Sequence, residues 1–346
     1  IMRIHLASYQ SIMLNRGGPT YKLLHTKKAL EELGVDVKLF DMWDFNLKLS
    51  KDDLVHIFLA NISTYSLATN LKLYNAKYVV NPIIFSNHPA WKIKLYQKLE
   101  KPINKLFIRS MSDYKITNLI CNNAEKILPN TIDEGDLLVK GMNVNRDNMQ
   151  VIHNGVEARF ADASASLFPK KYGLKDFILY VGHLGPDRKN GRNIIKALQQ
   201  IDHPAVIIAD ILHNAEGEWC RKEIDRSKNI TLIEWLNHDD PLFASAYAAC
   251  HTFILPTKFE TPGRAALEAG LAGANIVITP HGSTKEYFGE FAEYPNPNSV
   301  TSIQNAIELA LNKKKTLDLS NHIKKNFIWP IIAKETLKMY KNVLKK

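Results

Sequence analysis

Residues 252–270, TFILPTKFETPGRAALEAG, decide how the second half of this chain folds. The stretch begins as a buried type of strand that ends at Leu255, and a short polar loop follows. The loop predicts Thr261 as a helix N-cap and Pro262 as the first helical residue. The backbone N–H groups at the start of such a helix stabilise an anion. The pattern therefore predicts an anion site between a strand and a helix.

Two carboxylates flank this predicted anion site. Glu260 lies just before the helix, and Glu268 lies further inside it. Ionised carboxylates are strong acceptors for hydroxyl groups such as those of sugars. Glu268 could instead be an ordinary surface residue, but its neighbours in the helix are small or apolar, which makes a solvated face less expected.

Short apolar runs alternate with helical patterns along the whole chain, which predicts parallel βαβ units and an α/β fold. Phe160–Lys175 shows no clear period and is interpreted as a linker between two domains. The predicted domains are residues 1–165 and 166–330, with a C-terminal helix, 331–346, packing back on the first. Ligands bind beyond the carboxyl ends of such strands, so two facing halves would form a cleft. The predicted strands are Arg3–Ala7, Val37–Phe40, Leu54–Ala60, Tyr78–Ile84, Lys126–Leu128, Met149–Ile152, Phe177–Val181, Ala205–Ala209, Ile230–Ile233, Thr252–Leu255 and Asn275–Thr279.

The composition is that of a folded protein and excludes several classes. The 346 residues are 45% hydrophobic and 23% charged, and no apolar run is long enough to span a membrane. The sequence moves straight into a strand, so no cleavable signal peptide is expected. The 3 cysteines are widely spaced, which predicts neither a disulfide framework nor a metal clip and is typical of a reducing cytoplasm.

The formal net charge of +10 leaves three partners open: nucleic acid, an anionic membrane surface and an anionic ligand. Helical spacing places Lys94, Lys98, Lys101 and Lys105 on one face, with aromatic residues nearby. A basic face with aromatics predicts docking on anionic lipid, and a simply solvated lysine face is the alternative. No nucleic-acid-binding motif is present, so nucleic acid is not an expected partner.

Two further loops could hold a phosphate. Gly17-Gly18-Pro19 follows the first strand and opens a helix, although an ordinary strand–helix turn would look the same. Gly182 ends a strand in the second half, and the adjacent cations Arg188 and Lys189 follow it. No complete dinucleotide-binding fingerprint occurs, which disfavours a standard Rossmann dehydrogenase.

Taken together, these motifs resemble the GT4 family of glycosyltransferases, which has the GT-B fold and includes bacterial lipopolysaccharide and capsule glycosyltransferases. The resemblance spans nearly the whole chain and implies two Rossmann-like βαβ domains facing across a cleft. The matching segments are Glu260 and Glu268 for the E-x7-E motif, Gly17-Gly18-Pro19 for the glycine loop, Ile152–Glu157 for the Asn-Gly-Val-Asp segment, Gly182 with Arg188-Lys189 for the diphosphate loop, and Thr279–Glu286 for the late Gly-Gly-x-x-Glu loop.

The resemblance implies a role for each matched residue. The implied catalytic residues are Glu260, His88, Arg188 and Lys189. The implied donor-binding residues are Gly17, Gly18, Gly182, Arg188, Lys189, Trp235, Leu236, Thr261, Pro262, Gly263, Arg264 and Glu268. Within these sets Glu268 would bind the ribose, Glu260 the donor sugar, the two cations the leaving diphosphate, and Trp235-Leu236 the base.

The expected reaction is sugar transfer from a UDP-sugar or GDP-sugar to a glycan, lipid-linked or other hydroxyl acceptor. The resemblance implies retention of configuration, and the cations at the diphosphate would make a metal or other cofactor unnecessary. The alternatives are a nucleotide-sugar epimerase of the same fold and a non-catalytic nucleotide- or sugar-binding protein. His183 stands where the family often has an arginine, and Glu157 where it has an aspartate, so the donor's identity stays open.

Overall fold

A computed structural model describes residues 2–14, 17–86, 88–106, 111–233 and 235–345, without the side chains of 101–106. The chain divides into two compact units. The first contains Ile1–Gly155 and Trp329–Lys346, and the second contains Val156–Ile328. The structure therefore divides the chain after Gly155, whereas the sequence predicts the division after residue 165.

The first unit is a parallel sheet with helices between its strands. The strand order is β2-β1-β3-β4-β5, and every pairing is parallel. The middle strand β3 is buried along its whole length, as expected where helices cover both faces of a sheet. The elements are β1 (Arg3–Ala7), α1 (Gly18–Glu31), β2 (Asp36–Leu39), β3 (Asp53–Phe58), α2 (Ile62–Leu73), β4 (Tyr78–Asn81), α3 (Ala90–Leu106), α4 (Asp113–Asn123), β5 (Lys126–Ile127) and α5 (Ile132–Met142).

The second unit is a six-stranded parallel sheet in the order β11-β10-β9-β6-β7-β8. Its order reverses between β6 and β9, the doubly wound arrangement of dinucleotide-binding folds. The elements are α6 (Leu167–Tyr172), β6 (Ile178–Leu184), α7 (Gly191–Leu198), β7 (Ala205–Ile211), α8 (Ala215–Arg226), β8 (Ile230–Ile233), α9 (Pro241–Ala249), β9 (Thr252–Leu255), α10 (Arg264–Leu271), β10 (Asn275–Ile278), α11 (Thr284–Phe288), β11 (Ala292–Glu293), α12 (Val300–Leu311) and α13 (Asp318–Asn326).

Three local expectations from the sequence are wrong. The segment interpreted as a linker forms a 3-10 helix, Ala158–Asp162, and then α6, because Phe160 and Phe168 are buried in the second unit's core. The sequence also predicts a helical region that breaks near Pro102, but α3 continues through Pro102, because a proline removes only one helix hydrogen bond and α3 packs against α5. The strand predicted at Met149–Ile152 is reduced to a single bridge between Met149 and Ile127.

The chain returns to the first unit at its end through α14 (Trp329–Leu344). The Trp329 ring lies over Gly155, where a Cβ would come within 2.5 Å of the ring. Further along the helix, the Tyr340 hydroxyl lies 2.5 Å from Nδ1 of His56 on β3. Both side chains of this second contact are buried. Helix α14 is therefore tied to the sheet by packing and by a buried polar contact.

The buried contact has defined donors and acceptors. Asn81 donates its amide N–H to the Leu128 carbonyl, so its Oδ1 faces His56 Nε2 at 3.1 Å and accepts from it. Nδ1 of His56 is then the acceptor for the Tyr340 hydroxyl. Burial lowers the pKa of His56 to about 3, which keeps the ring neutral as this arrangement requires.

The substitution Tyr340→Phe should lower the free energy of unfolding by about 1–3 kcal/mol, because it leaves the buried Nδ1 of His56 without its donor. Urea unfolding followed by circular dichroism measures the loss. Tyr74→Phe is the matched control, since Tyr74 is 78% exposed in the same unit, and should change stability by less than about 0.5 kcal/mol. Equal stabilities for the two variants would contradict the contact.

Candidate functional site

The reversal of strand order in the second unit brings two chain segments together. The first follows β6 and forms a single turn, Asp187–Lys189, and the second follows β9 and leads into α10. Because β6 and β9 are parallel neighbours, both segments leave the same edge of the sheet. The Lys258 backbone N–H donates to the Arg188 carbonyl at 2.9 Å and joins them directly.

The Glu260 carboxylate lies at the centre of a cluster formed by these two segments. Its Oε1 lies 2.8 Å from Lys189 Nζ and 3.1 Å from Arg188 Nη1, and the Thr257 hydroxyl donates to it at 3.3 Å. The Arg188 guanidinium also donates to the Phe259 carbonyl at 2.8 Å. The cluster has two cations and one carboxylate, so it keeps a net positive charge.

Exposure divides the cluster into a fixed part and an accessible part. The Glu260 and Lys189 side chains are 11% and 15% exposed, whereas that of Arg188 is 49% exposed. Arg188 therefore has the freedom to contact a ligand, while Lys189 and Glu260 are held in place. A guanidinium makes forked contacts to phosphate oxygens.

Asn190 anchors the turn that carries the two cations, a role that the sequence did not reveal. Its backbone is left-handed, with φ of 60°, a conformation that asparagine tolerates better than most residues. The buried side chain donates to the carbonyls of Pro256 and Pro297, at 2.8 and 2.7 Å. The sequence indicates this role only through an asparagine placed directly after two adjacent cations. That pattern is too common to predict an anchoring residue.

Helix α10 begins later than the sequence predicted. Gly263, with φ of 85°, is the N-cap and Arg264 is the first helical residue, so Thr261 as N-cap and Pro262 as first helical residue are wrong. The first helix hydrogen bonds are donated by Ala266 and Leu267 to the Gly263 carbonyl. The Thr261 hydroxyl is used elsewhere and donates to the Gly282 carbonyl at 2.8 Å.

Glu268 is buried and both of its oxygens contact protein groups. Oε1 lies 2.9 Å from His238 Nε2 and 3.2 Å from Arg264 Nε, and Oε2 accepts from the Tyr247 hydroxyl at 3.0 Å. Burial by itself raises the pKa of Glu268, but the Arg264 charge and the contacts with His238 and Tyr247 together outweigh it, so the pKa lies below its usual value. Glu268 is therefore a charged internal anchor of α10 in this structure.

The contacts around Glu268 continue through His238 to the first residues of the second unit. Arg159 donates to the His238 carbonyl at 2.8 Å and lies 3.3 Å from a Glu157 oxygen. His238, Tyr247 and Arg159 escaped the sequence analysis because nothing in their spacing links them to Glu268. The packing of α9, α10 and the 3-10 helix Ala158–Asp162 on one another brings them together.

An exposed aromatic pair marks the other end of this sheet edge. The rings of His183, in β6, and Trp235, after β8, are stacked with centroids 5.8 Å apart. Trp235 is 50% exposed, and His183 Nδ1 lies 3.4 Å from an Asp210 oxygen on β7. Leu236 packs at the edge of the core, and Glu234 lies outside the described residues.

The glycines expected to approach a diphosphate have ordinary backbone conformations. Gly17, with φ of −138°, is the N-cap of α1, and Pro19 lies in its first turn as predicted. A Cβ on Gly18 would have nothing within 4 Å, and one on Gly182 would lie 3.1 Å from the Tyr180 hydroxyl oxygen. Asn15 and Arg16, in the same loop, lie outside the described residues.

His88 lies in the first unit, in the loop after β4. It is exposed, and its backbone N–H donates to the Ser86 hydroxyl at 3.0 Å. Within the described ranges, no group of three or more His, Cys, Asp or Glu side chains is placed to hold a metal ion. In the same ranges, no helix is long and apolar enough to cross a membrane.

Comparison with solved structures defines the class of fold. The chain is similar over its full length to a glycosyltransferase from Rickettsia africae, with a TM-score of 0.76, 16% identity and coverage of 99% of that chain. The chain is similar to sucrose-phosphate synthase from Thermosynechococcus elongatus with a TM-score of 0.75 and 16% identity, and both chains are fully covered. The chain is also similar to Anabaena HepE in complex with UDP and glucose, with a TM-score of 0.70 and 15% identity. This similarity covers 99% of this chain and 100% of that one. The prediction of a GT-B fold with two Rossmann-like units is confirmed.

A family model matches the second unit by sequence. Residues 166–327 match the family model for glycosyl transferases group 1. The match spans a little under half of the chain, and it confirms the resemblance to glycosyltransferases seen in the sequence. A curated relative, the O-antigen chain mannosyltransferase B of Escherichia coli, is 25% identical over 183 residues. The match covers 50% of this chain and 48% of the relative, about half the length of each.

Gly282 packs closely against the backbone of the Glu260 segment, and a substitution at Gly282 tests whether this contact holds the segment in place. A Cβ at Gly282, where φ is 95°, would lie 2.1 Å from the Glu260 carbonyl oxygen. Gly282→Ala should therefore lower the free energy of unfolding by at least about 2 kcal/mol, since it adds a backbone clash to the cost of alanine at a positive φ. Thermal and urea unfolding measure the change.

Gly273→Ala is the matched control, because Gly273 has nearly the same φ of 89° in the same unit but nothing within 4 Å of its Cβ position. Gly273→Ala should lower the free energy of unfolding only by the conformational cost of alanine at a positive φ, about 1 kcal/mol. Losses of the same size in both variants would show that the Glu260 segment does not depend on close approach at Gly282.

Proposed function

We propose that this protein is a glycosyltransferase that transfers a sugar from a nucleoside-diphosphate sugar to a hydroxyl acceptor, with retention and without a metal ion. The observation that carries the proposal is the cluster of Glu260 with Arg188 and Lys189 at the strand-order reversal. A family match over residues 166–327 supports the same class of reaction. An anchored lysine beside an accessible arginine is what a leaving diphosphate requires.

The charges in the cluster agree with the chemistry. In the transfer, the bond between the anomeric carbon and the β-phosphate oxygen breaks and its electron pair stays on the diphosphate. The acceptor oxygen bonds to the same carbon, and its proton passes to the leaving phosphate or to His88. Arg188 and Lys189 stabilise the charge that develops on the diphosphate, and the backbone around Thr261–Arg264 assists at the helix start. Glu260 contacts the sugar once phosphate has displaced it from the cations.

The rest of the donor is assigned to neighbouring groups. Trp235 and Leu236 receive the base, and the Trp235 ring is already exposed and stacked on His183. Glu268 receives the ribose hydroxyls, for which it must give up one of its contacts with Arg264 and His238. Gly17, Gly18 and Gly182 have no bulky side chain to obstruct the phosphates. A UDP-sugar fits this assignment, since Anabaena HepE was solved in complex with UDP and glucose, and a GDP-sugar is the alternative donor.

Donor binding tests the role of the cations. In Arg188→Gln/Lys189→Gln, the dissociation constant of UDP or GDP should rise about 10- to 100-fold, because two charge-assisted contacts are lost, while that of the bare nucleoside should not change. Isothermal titration calorimetry measures both. The charge-matched control Arg192→Gln/Lys196→Gln alters α7 beside the site and should bind as the parent does, since Arg192 pairs with Glu216.

Activity separates the remaining alternatives. Glu260→Gln should keep nucleotide binding, because Arg188 and Lys189 are unchanged. It should lose sugar transfer, because the carboxylate that contacts the sugar is removed. If the protein converts the donor to an epimerised sugar without any acceptor, it is an epimerase and the proposal is wrong. Nucleotide binding with no hydrolysis or transfer from any donor would identify a binding protein, and unchanged nucleotide affinity in the double variant would overturn the assignment of the cations.

We further propose that the enzyme docks on an anionic membrane surface through α3. The outward side of this helix carries the apolar side chains of Trp91, Leu95 and Leu99, which are 63%, 50% and 53% exposed and spaced one turn apart. Lys94 and Lys98 are exposed directly beside this apolar stripe. Apolar side chains flanked by lysines match the interface of an anionic bilayer. The side chains of Lys101 and Lys105, in the predicted basic face, lie outside the described residues.

Charge reversal tests the docking. Lys94→Glu/Lys98→Glu should reduce cosedimentation with phosphatidylcholine–phosphatidylglycerol vesicles at least about tenfold, because each lysine near the surface contributes about 1 kcal/mol. Lys48→Glu/Lys51→Glu changes the same charge at exposed positions elsewhere in the first unit and should bind as the parent does. Equal losses in the two variants would mean that net charge, not α3, determines binding.

A further inference from the structure

The imidazole of His238 lies between the buried carboxylate of Glu268 and the guanidinium of Arg159. Its Nε2 is 2.9 Å from Glu268 Oε1, and its Nδ1 is 3.1 Å from Arg159 Nη2. The His238 side chain is 12% exposed, although it belongs to the loop between β8 and α9. Both ring nitrogens of His238 are therefore engaged by protein groups inside the second unit.

Arg159 determines which nitrogen of His238 carries the proton. A guanidinium only donates hydrogen bonds, so Nδ1 of His238 must accept from Arg159. The single ring proton of the neutral imidazole then lies on Nε2, which donates it to Glu268. The same Nη2 of Arg159 also donates to the His238 carbonyl at 2.8 Å, which holds the guanidinium in this place. Glu268 therefore receives a directed N–H donor whose proton is placed by Arg159.

Two buried phenylalanine rings hold the imidazole in its orientation. The ring centroids of Phe160 and Phe243 lie 5.6 and 5.2 Å from that of His238. Phe160 comes from the 3-10 helix that also carries Arg159, and Phe243 comes from α9. Both rings belong to the core of the second unit, so rotation of the imidazole would displace core side chains.

The three partners of Glu268 differ in their freedom to leave. The Arg264 side chain is 38% exposed, whereas His238 is held by its neighbours and Tyr247 is fully buried. A ribose hydroxyl that binds Glu268 needs an acceptor position on the carboxylate. Arg264 is the partner that gives up such a position most easily, because its guanidinium reaches solvent and does not support the core.

The departure of Arg264 makes the remaining donors more important. Burial by itself raises the pKa of Glu268, and the Arg264 charge is the largest of the influences that lower it. Once Arg264 has turned away, the His238 N–H and the Tyr247 hydroxyl remain to hold the carboxylate ionised and in one orientation. Orientation matters because a hydrogen bond weakens steeply when its donor and acceptor are misaligned.

We propose that His238 is a positioning residue for nucleotide recognition: with its proton placed by Arg159, it holds the Glu268 carboxylate in the orientation that accepts the ribose hydroxyls. The inference rests on the proposed binding of a nucleoside diphosphate by the second unit. It adds to that function a pair of residues, Arg159 and His238, that act through Glu268 and are assigned to no part of the donor.

Nucleotides with and without ribose hydroxyls test the proposal. The parent should bind UDP or GDP at least about tenfold more tightly than the 2′,3′-dideoxy form of the same nucleotide, because hydrogen bonds to a charged group are among the stronger ones. In His238→Ala this ratio should fall below about threefold, since Glu268 loses its directed donor. Isothermal titration calorimetry measures both affinities for each variant.

His238→Gln is the conservative variant. The glutamine amide nitrogen occupies the place of Nε2 and also donates an N–H, so the ratio should stay within about twofold of that of the parent. A loss in His238→Gln as large as that in His238→Ala would overturn the role of the donated proton. An unchanged ratio in a folded His238→Ala would overturn the positioning role altogether.

Arg159→Ala separates the placement of the proton from simple packing. In the parent background it should lower the ratio, because the ring proton of His238 is then no longer fixed on Nε2. In the His238→Gln background it should have no effect on the ratio, since an amide nitrogen keeps its N–H whatever its neighbour is. Equal losses in the two backgrounds would show that Arg159 acts only by packing. This comparison decides the proposal even where His238→Ala does not fold.

His203→Ala is the matched control. It removes a histidine of the same unit whose Nε2 donates to the Asp176 carbonyl at 2.6 Å, before β7 and away from Glu268. It should leave the ratio of affinities unchanged, and circular dichroism verifies that each variant folds. An equal fall of the ratio in His203→Ala and His238→Ala would overturn the proposal, because the loss would then follow from any missing histidine contact.

The same measurements keep this inference separate from the proposed function. No nucleotide binding by the parent would overturn the proposed function and this inference together. Equal binding of a nucleotide and its dideoxy form by the parent would overturn this inference and the assignment of Glu268 to the ribose, while Arg188 and Lys189 would keep their role. Nucleotide binding with a ratio that depends on His238 would support both.

Discussion

The second unit depends on one topological constraint, the reversal of strand order between β6 and β9. Because neighbouring helices cross to opposite sides there, the turns after the two strands have open space between them. That space receives Arg188 and Lys189 from one turn and Glu260 from the other. Two adjacent cations would repel each other, so the carboxylate stabilises their approach in the free protein. Asn190 holds the first turn and the close approach at Gly282 holds the second, so the backbone that carries the cluster is fixed on both sides.

The two glutamates of the E-x7-E motif occupy different environments, although the sequence treats them as a pair. Glu260 contacts cations at the surface of the unit, whereas Glu268 is 2% exposed and surrounded by Arg264, His238 and Tyr247. A buried charge is tolerated only when every partner is in place. Glu268 therefore ties α10 to α9 and, through His238 and Arg159, to the segment that enters the unit.

The first unit has the same kind of sheet with different groups at its carboxyl edge. Leu59 and Ile83, both with positive φ, line a pocket there. Glu134 holds this edge from inside, as Glu268 does in the second unit, and in each case the carboxylate is satisfied by backbone or side-chain donors. The common principle is that a buried carboxylate fixes a loop whose own sequence would not hold its shape. The differences in chemistry then lie in the exposed side chains.

Much of the fold could be read from the sequence, because period and composition report local structure directly. The strands Arg3–Ala7, Ile230–Ile233 and Thr252–Leu255 match the structure at both ends. The Rossmann-like pattern in both halves and the similarity to glycosyltransferases were also predicted. Only the tertiary structure decided that Phe160 and Phe168 turn an apparent linker into core, that Gly263 begins α10, that Asn190 anchors the cations and that Glu268 meets Tyr247 and His238. The reason is that these outcomes depend on contacts between residues far apart in the chain, whereas propensity and motif spacing describe only residues close together in sequence.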